Sequence, residues 1–182
     1  MTSSEPTPTS SESGHASAPD DSSIGAALGR VPSGLFIVSA VDEHGAALGF
    51  LASFVQQMAF SPPTVAVAVS KERGHLEAIR HSKRFAVSVL GDDDKGLMKP
   101  FFKKPEDGSP FDELQTHAPS GSVPVLDDAL AWLDCRWAGE HNAGDHVVVF
   151  GVVESASKSK DGEPLTHCLL YTSDAADEYQ RV

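Results

Sequence analysis

The sequence predicts a mainly β, α+β domain: an antiparallel small barrel decorated by two or three short helices. Three observations carry this. Runs rich in β-branched and aromatic residues recur along the chain, Thr64-Val-Ala-Val-Ala-Val-Ser70 and Arg84-Phe-Ala-Val-Ser-Val-Leu90 being the clearest. Turn-forming clusters such as Asp42-Glu-His-Gly45 separate them at hairpin spacing. Six or more strands against two or three helices, with so many antiparallel hairpins, fit a small barrel with helical decoration better than a βαβ sheet.

Taken in order, residues 1–23 (MTSSEPTPTSSESGHASAPDDSS) are Ser, Thr, Pro and acid with almost nothing to bury. Such a segment cannot offset its ordering entropy and is expected to be disordered, as a solubilising tail or as a linker from a lost upstream domain. Order is expected from Ile24, with a short helix before Pro32. A strand over Gly34–Val41 and a return strand over Ala46–Phe54 flank the turn at Asp42–Gly45. The next segment, Val55–Ser61, reads as a loop that Pro62-Pro63 stiffen before the strand Thr64–Ser70. Arg73–His81 reads as a helix with Leu76 and Ile79 on one side, and Asp93–Lys99 as a second, after the strand Arg84–Leu90. Pro100–Pro124 is rich in Pro, Gly and Ser and reads as a long excursion. Ala129–Trp137 and Val147–Ala156 are expected to form a hairpin around His141-Asn-Ala-Gly144.

Composition bounds the function. At 182 residues and 40% hydrophobic, the chain can build one core without disulfides. A formal charge of −12 argues against nucleic acid and anionic membranes, both of which need a basic footprint. An anionic ligand must therefore meet local cations. Two cysteines, Cys135 and Cys168, do not make a disulfide framework. With no basic n-region ahead of an apolar stretch, no Arg-rich transit segment and no membrane-spanning run, the cytoplasm is the expected compartment.

Residues 168–178 (CLLYTSDAADE) are similar to the translation of a transposase adaptor used in sequencing libraries, and Arg181-Val182 fits the segment after a short index. On that likeness residues 168–182 are expected to be non-native. The domain then covers residues 24–167, Cys168 carries no functional weight and the barrel lacks its own closing strand. The alternative is a genuine last strand through Leu169-Leu-Tyr171.

Periodicity alone offers no catalytic site. There is no Gly-x-Gly-x-x-Gly, no Walker loop and no HExxH, and the eight histidines lack metal-ligand spacing, so no metal is expected. The segments that carry chemistry are PSGLFIVSA from Pro32 and LASFVQQMAFSPPTVAVAVSKER from Leu51, followed by RFAVSVL, LMKPFFKK, VPVLDDALAWLDC and GDHVVVFGVV. Gln56 and Gln57 can both donate and accept hydrogen bonds, which suits a ring edge alternating carbonyls and N–H groups. Ser70-Lys71-Glu72-Arg73 gathers a hydroxyl and two cations at a strand end leading into a helix N-terminus, an arrangement suited to a dianion. Lys99-Pro-Phe-Phe-Lys-Lys104 places two aromatics between cations; it covers a ligand, grips a nucleotide phosphate, or is a solvated loop with Phe101 in the core.

Together these segments resemble the flavin reductase-like, FMN-binding split-barrel family, nearest to the flavin reductase module of flavodiiron proteins, over residues 25–167. The resemblance implies that Ala52, Ser53, Phe54, Val55, Gln56 and Gln57 line the isoalloxazine and ribityl portions of FMN. It implies that Ser70, Lys71 and Arg73 hold the phosphate. His146, in Gly144-Asp-His146, is implied near the nicotinamide as a hydrogen-bonding or proton-donating catalytic neighbour. Many relatives have Ser or Thr where Gln56 stands and Ser where Ala59 stands, which puts single hydroxyl contacts in question.

The implied activity is an NAD(P)H-dependent flavin reductase, with hydride passing from NAD(P)H to N5 of FMN. Reduced flavin or electrons then go to a monooxygenase or a diiron acceptor, and a homodimer is implied by the same resemblance. Two alternatives are an FMN-binding electron-transfer module detached from a flavodiiron oxygen reductase, and a non-catalytic flavin-binding protein.

Overall fold

The computed structural model describes residues 21–102 and 108–168. The expected disorder over residues 1–20, the adaptor-like residues 169–182, and Lys103 and Lys104 lie outside them.

Chain order is α1 (Asp21–Leu28), β1 (Pro32–Gly34), β2 (Phe36–Val41), β3 (Ala47–Ala52), β4 (Val55–Phe60), β5 (Pro63–Ser70), α2 (His75–Ser82), β6 (Arg84–Val89) and α3 (Lys95–Met98). Then follow β7 (Thr116–His117), β8 (Val125–Leu126), β9 (Ala131–Ala143), β10 (His146–Lys158) and β11 (Thr166–Cys168). Single 3₁₀ turns flank α3 at Asp92–Asp94 and Lys99–Phe101. Seven strands form one antiparallel sheet in the order β3-β2-β6-β9-β10-β5-β4.

That order imposes a shape. β3 and β4 are consecutive in the chain yet lie at opposite edges of the sheet, joined only by Ser53 and Phe54. Six gaps of about 4.8 Å would hold the edges of a flat sheet about 29 Å apart, whereas three Cα steps reach at most about 11 Å. The sheet must curl until its edges meet. No ladder joins them, so the result is a barrel with a split, as the fold class predicts.

Alternation decides what fills it. Val65, Val67 and Val69 point inward with Val38, Phe50, Phe85, Val87, Val147 and Val149, and α2 closes this core with Leu76, Ala78 and Ile79. β2 and β6 are buried on both faces, which is why FIVSAV and RFAVSV read as nearly continuous apolar runs. Their outer faces carry a second cluster that includes Ile37, Leu90, Met98, Phe111, Leu126 and Leu165. Two buried serines interrupt those runs for a reason: Ser39 donates to the Pro124 carbonyl, and Ser88 accepts the Leu126 N–H at 3.0 Å. They tie the Pro100–Pro124 excursion to the sheet, each bond contributing about 1 kcal/mol.

Several boundaries differ from the sequence reading. Val55–Ser61 is not a loop; Val55–Phe60 is an edge strand laddered to β5, with a register shift between Gln57 and Ala59. β9 and β10 are each 13 residues long, and their turn is Gly144-Asp145. Gly144 sits at φ +63°, a conformation glycine adopts freely at the first position of a two-residue hairpin turn. α1 begins at Asp21 and not at Ile24. At the other end, β11 pairs with β1 through Thr166–Cys168 as a two-stranded ladder separate from the seven-stranded sheet.

Cys135 is fully buried on β9, and burial, with the Asp134 charge, pushes its thiol up to about 12. It is a core residue, not a nucleophile.

Gly49 tests the packing of the excursion. A Cβ there would lie 2.5 Å from the Phe101 ring and 2.7 Å from the Phe111 ring, which pack edge to face at 5.2 Å. Gly49→Ala is expected to cost about 1–3 kcal/mol by overpacking, measured by urea unfolding; unchanged stability would mean that Phe101 does not press on β3.

Candidate functional site

A cleft of about 140 Å³ lies at the split, lined by Phe50, Leu51, Ala52, Ser53, Phe54, Ala68, Ser70, Arg73 and His146. Four elements build it. The end of β3 and the link Ser53-Phe54 form one wall. Ala68 and Ser70, on the outward face of β5, form the floor. Arg73 enters from the turn before α2, and His146 from the first position of β10.

Pairing fixes His146 against this floor, because β10 runs antiparallel to β5 with His146 opposite Ser70. The hairpin tip is then clamped from below. The Lys71 N–H donates to the Asp145 carbonyl at 3.1 Å, and the Lys71 ammonium donates to the Gly144 carbonyl at 2.6 Å. His146 Nδ1 lies 2.8 Å from an Asp145 carboxylate oxygen, and its ring meets Phe54 edge-on at 5.9 Å. The His146 bond, with that imidazole's charge adding to it, holds the Asp145 carboxyl below its ordinary range. An ionised Asp145 accepts from Nδ1–H and leaves Nε2 without a partner among the described residues.

Arg73 is arranged differently. Its guanidinium lies 5.8 Å from the Phe50 ring centroid and pairs with no carboxylate among the described residues. Gly74, at the N-cap of α2, supplies no side-chain cap to the first N–H groups of that helix. Arg73 brings a cation without a carboxylate partner among the described residues to this cleft, beside the Ser70 hydroxyl, which suits a phosphate. Among the described residues no group of three or more His, Cys, Asp or Glu is placed to hold a metal ion.

Of the residues expected at the site, Ala52, Ser53, Phe54, Ser70, Arg73 and His146 converge on this cleft. Val55, Gln56, Gln57 and Lys71 do not line it. Gln56 and Gln57 are exposed on β4, their amides 3.4 and 3.5 Å from the carbonyls of Gln57 and Ala59. Lys71 braces the hairpin turn. Phe50, Leu51 and Ala68 line the cleft and were not expected there. The signal for Ala68 was present: in a strand whose valines fill the core, the intervening alanines leave room on the other face.

The chain's residues 28–178 match the family model described as flavin reductase like domain. The chain belongs to that family. Over 143 residues it is 35% identical to diflavin flavoprotein A 1 of Synechocystis, covering 77% of this chain and 25% of that protein. It is 30% identical over 140 residues to a flavin reductase of Pseudomonas putida, covering 77% of this chain and 81% of the relative. The styrene monooxygenase flavin reductase of Pseudomonas putida S12 superposes with a TM-score of 0.69 at 26% identity, over 79% of this chain and 90% of that one. This chain spans about a quarter of the length of the diflavin flavoproteins it matches.

Proposed function

We propose that the chain is an NAD(P)H-dependent flavin reductase that binds FMN at the split of the barrel and carries hydride from NAD(P)H to flavin N5. The observation that carries this reading is Arg73, a guanidinium without a carboxylate partner among the described residues, facing a small cleft in a chain of net charge −12. Membership of the flavin reductase-like family supports it.

FMN, when bound, supplies the N5 that accepts hydride. The chain's own residues position and shield. Arg73 and Ser70 hold the phosphate. Ala52, Ser53 and Phe54 flank the ring, and Ala68 lets it approach β5. Val55, Gln56 and Gln57 meet it only where it extends past the cleft onto β4. The roughly 300–1,000 Å³ typical of small-molecule sites exceeds this cleft, so part of the flavin lies outside it. His146, braced by Asp145, offers Nε2 to the ligand as a hydrogen-bonding or proton-donating neighbour. Lys71 acts one step back, by holding the turn that carries His146.

Reduced flavin or electrons leave for a monooxygenase or a diiron acceptor. A second reading is favoured by the diflavin relatives, whose length this chain spans only in part: an FMN-binding electron-transfer module of a longer protein. The two part on one measurement, NAD(P)H oxidation with added FMN by the isolated chain.

β4 argues for a second copy of this chain. It is an edge strand with unpaired backbone groups, and Met58 and Phe60 are 55% and 88% exposed. Such an edge pairs indiscriminately unless it is covered. Closure of a homodimer over β4 would bury it and shelter the part of the flavin that the cleft leaves outside.

Stopped-flow oxidation of NADH and NADPH with FMN tests the central reading; a protein that neither binds FMN nor oxidises either nucleotide refutes it. Arg73→Ala is expected to weaken FMN binding about tenfold or more and to flatten its salt dependence, with a smaller loss for Lys71→Ala, both read by flavin fluorescence quenching. Equal losses would put the Lys71 ammonium on the ligand. His146→Ala is expected to slow hydride transfer about tenfold or more while FMN stays bound; unchanged kcat and KM would reduce Gly144-Asp-His146 to a turn. Phe60→Glu is expected to shift the chain to a monomer in sedimentation velocity, and a dimer unaffected by this change would place the interface elsewhere.

A further inference from the structure

Phe50 and Arg73 form the partition between two clefts. One is the cleft at the split; the other, of about 400 Å³, has Pro100, Phe101 and Phe102 of the excursion on its far side. Phe101 is wedged against Gly49 and Phe111, which holds that side to β3. The partition is only as well placed as Arg73, and little in its own turn places it. The Arg73 N–H reaches the Ser70 carbonyl at 3.2 Å, and the Leu76 N–H reaches the Arg73 carbonyl at 3.4 Å, both long for backbone bonds. Gly74, next in the chain, has no side chain to pack, and a Cβ there would meet no atom within 4 Å.

His75 supplies what the turn lacks. It is the first residue of α2, two positions after Arg73. Its Nε2 lies 3.1 Å from the Gly49 carbonyl on β3; a carbonyl only accepts, so Nε2 carries the proton and donates. The His75 ring meets Phe50 edge-on, with the centroids 4.8 Å apart. The Arg73 guanidinium lies 5.8 Å from the centroid of that same Phe50 ring. Arg73 and His75 thus engage one aromatic ring, and His75 is also bonded to the strand that carries it.

The imidazole does this uncharged. Burial keeps its pKa below the usual imidazole range; the Gly49 bond opposes that shift and the Arg73 charge adds to it. With Nε2 bonded, Nδ1 is a buried acceptor without a partner among the described residues, so a proton there would be a buried donor with nothing to receive it. A neutral ring can lie close to a guanidinium that a charged one would repel.

We propose that His75 is the positioning residue for Arg73: by tying the start of α2 to Gly49 and packing on Phe50, it sets where the guanidinium meets the phosphate of FMN. This rests on the reading of Arg73 given above and deepens it, because phosphate recognition then depends on a residue that does not line the flavin cleft. A histidine that merely filled the core would matter to every flavin alike. One that acts through Arg73 matters only to a flavin that carries a phosphate.

Riboflavin, which has the ring and ribityl chain of FMN without the phosphate, separates the two. Both affinities are read by fluorescence quenching on the unmodified chain, His75→Ala, Arg73→Ala and the double variant, each shown to be folded by its urea-unfolding midpoint. His75→Ala is expected to weaken FMN about tenfold while riboflavin affinity stays within about twofold. In the Arg73→Ala background, removing His75 is expected to change FMN affinity by less than about twofold, since its route to the phosphate is gone. Where His75→Ala does not fold, His75→Phe, which keeps a ring and loses the donor, carries the same comparisons. A riboflavin affinity that falls in step with FMN, an FMN affinity unmoved by the change at His75, or an effect that persists undiminished without Arg73 would overturn the role of His75. Failure of Arg73→Ala to weaken FMN on its own would instead overturn the phosphate assignment of Arg73, and the role of His75 with it.

Discussion

The link Ser53-Phe54 is the constraint from which the site follows. Two residues cannot bridge the edges of an open seven-stranded sheet, so the sheet must close on itself to within one short connection. Closure without a ladder leaves a seam, and the seam falls where β3 ends and β4 begins. Main chain at a seam is not committed to a sheet ladder on both sides. The Phe54 carbonyl reaches across to the Ala68 N–H at 3.0 Å, but the neighbouring positions remain open to a ligand. The same short connection that forces the barrel shut thus also leaves this gap, and Ala52, Ser53 and Phe54 line the cleft because they are the end of β3 and that connection.

A second constraint sets what stands at the gap. The β5–β10 register puts His146 opposite Ser70, and a slip of one residue would turn His146 to the other face. Lys71 guards against such a slip through two bonds to the hairpin tip. The two adjacent cations therefore have different duties. Lys71 satisfies carbonyls that a tight turn leaves without partners, whereas Arg73 rests on the Phe50 ring and keeps its donors for something else. In a chain with an excess of acid, an arginine left without a carboxylate is a stronger sign of an anionic ligand than the number of cations nearby.

Much of the fold was legible because strands buried on one or both faces write their period directly into the sequence. Thr64–Ser70 and Arg84–Leu90 fall within a residue of their observed bounds for that reason. Val55–Phe60 was not legible as a strand. An edge strand has one bare side and little burial, so Gln56, Gln57 and Met58 look like a polar loop, and only pairing with β5 reveals the ladder. The extent of the β9–β10 hairpin was hidden in the same way, since its outer half is exposed and lacks apolar alternation. At the candidate site, Ser70, Arg73 and His146 were put forward by the family resemblance and not by residue type alone, and the structure brings all three to one cleft. The division of labour between Lys71 and Arg73 could not be read from a tetrapeptide, because it depends on a turn more than seventy positions away.

The excursion of Pro100–Pro124 shows why long irregular segments of this kind persist in a small domain. Its backbone would carry unsatisfied groups over a sheet already buried on both faces, and the two core serines Ser39 and Ser88 answer that need at Pro124 and Leu126. Polar residues inside β2 and β6 would weaken those strands if they were unpaired; paired to the excursion, they fix its course. With Pro124–Leu126 held at one end and Phe101 wedged over Gly49 at the other, the aromatic wall beside Arg73 has a defined position relative to the seam. Two clefts that share one arginine therefore arise from two separate structural necessities: a sheet that must close, and a loop that must be anchored.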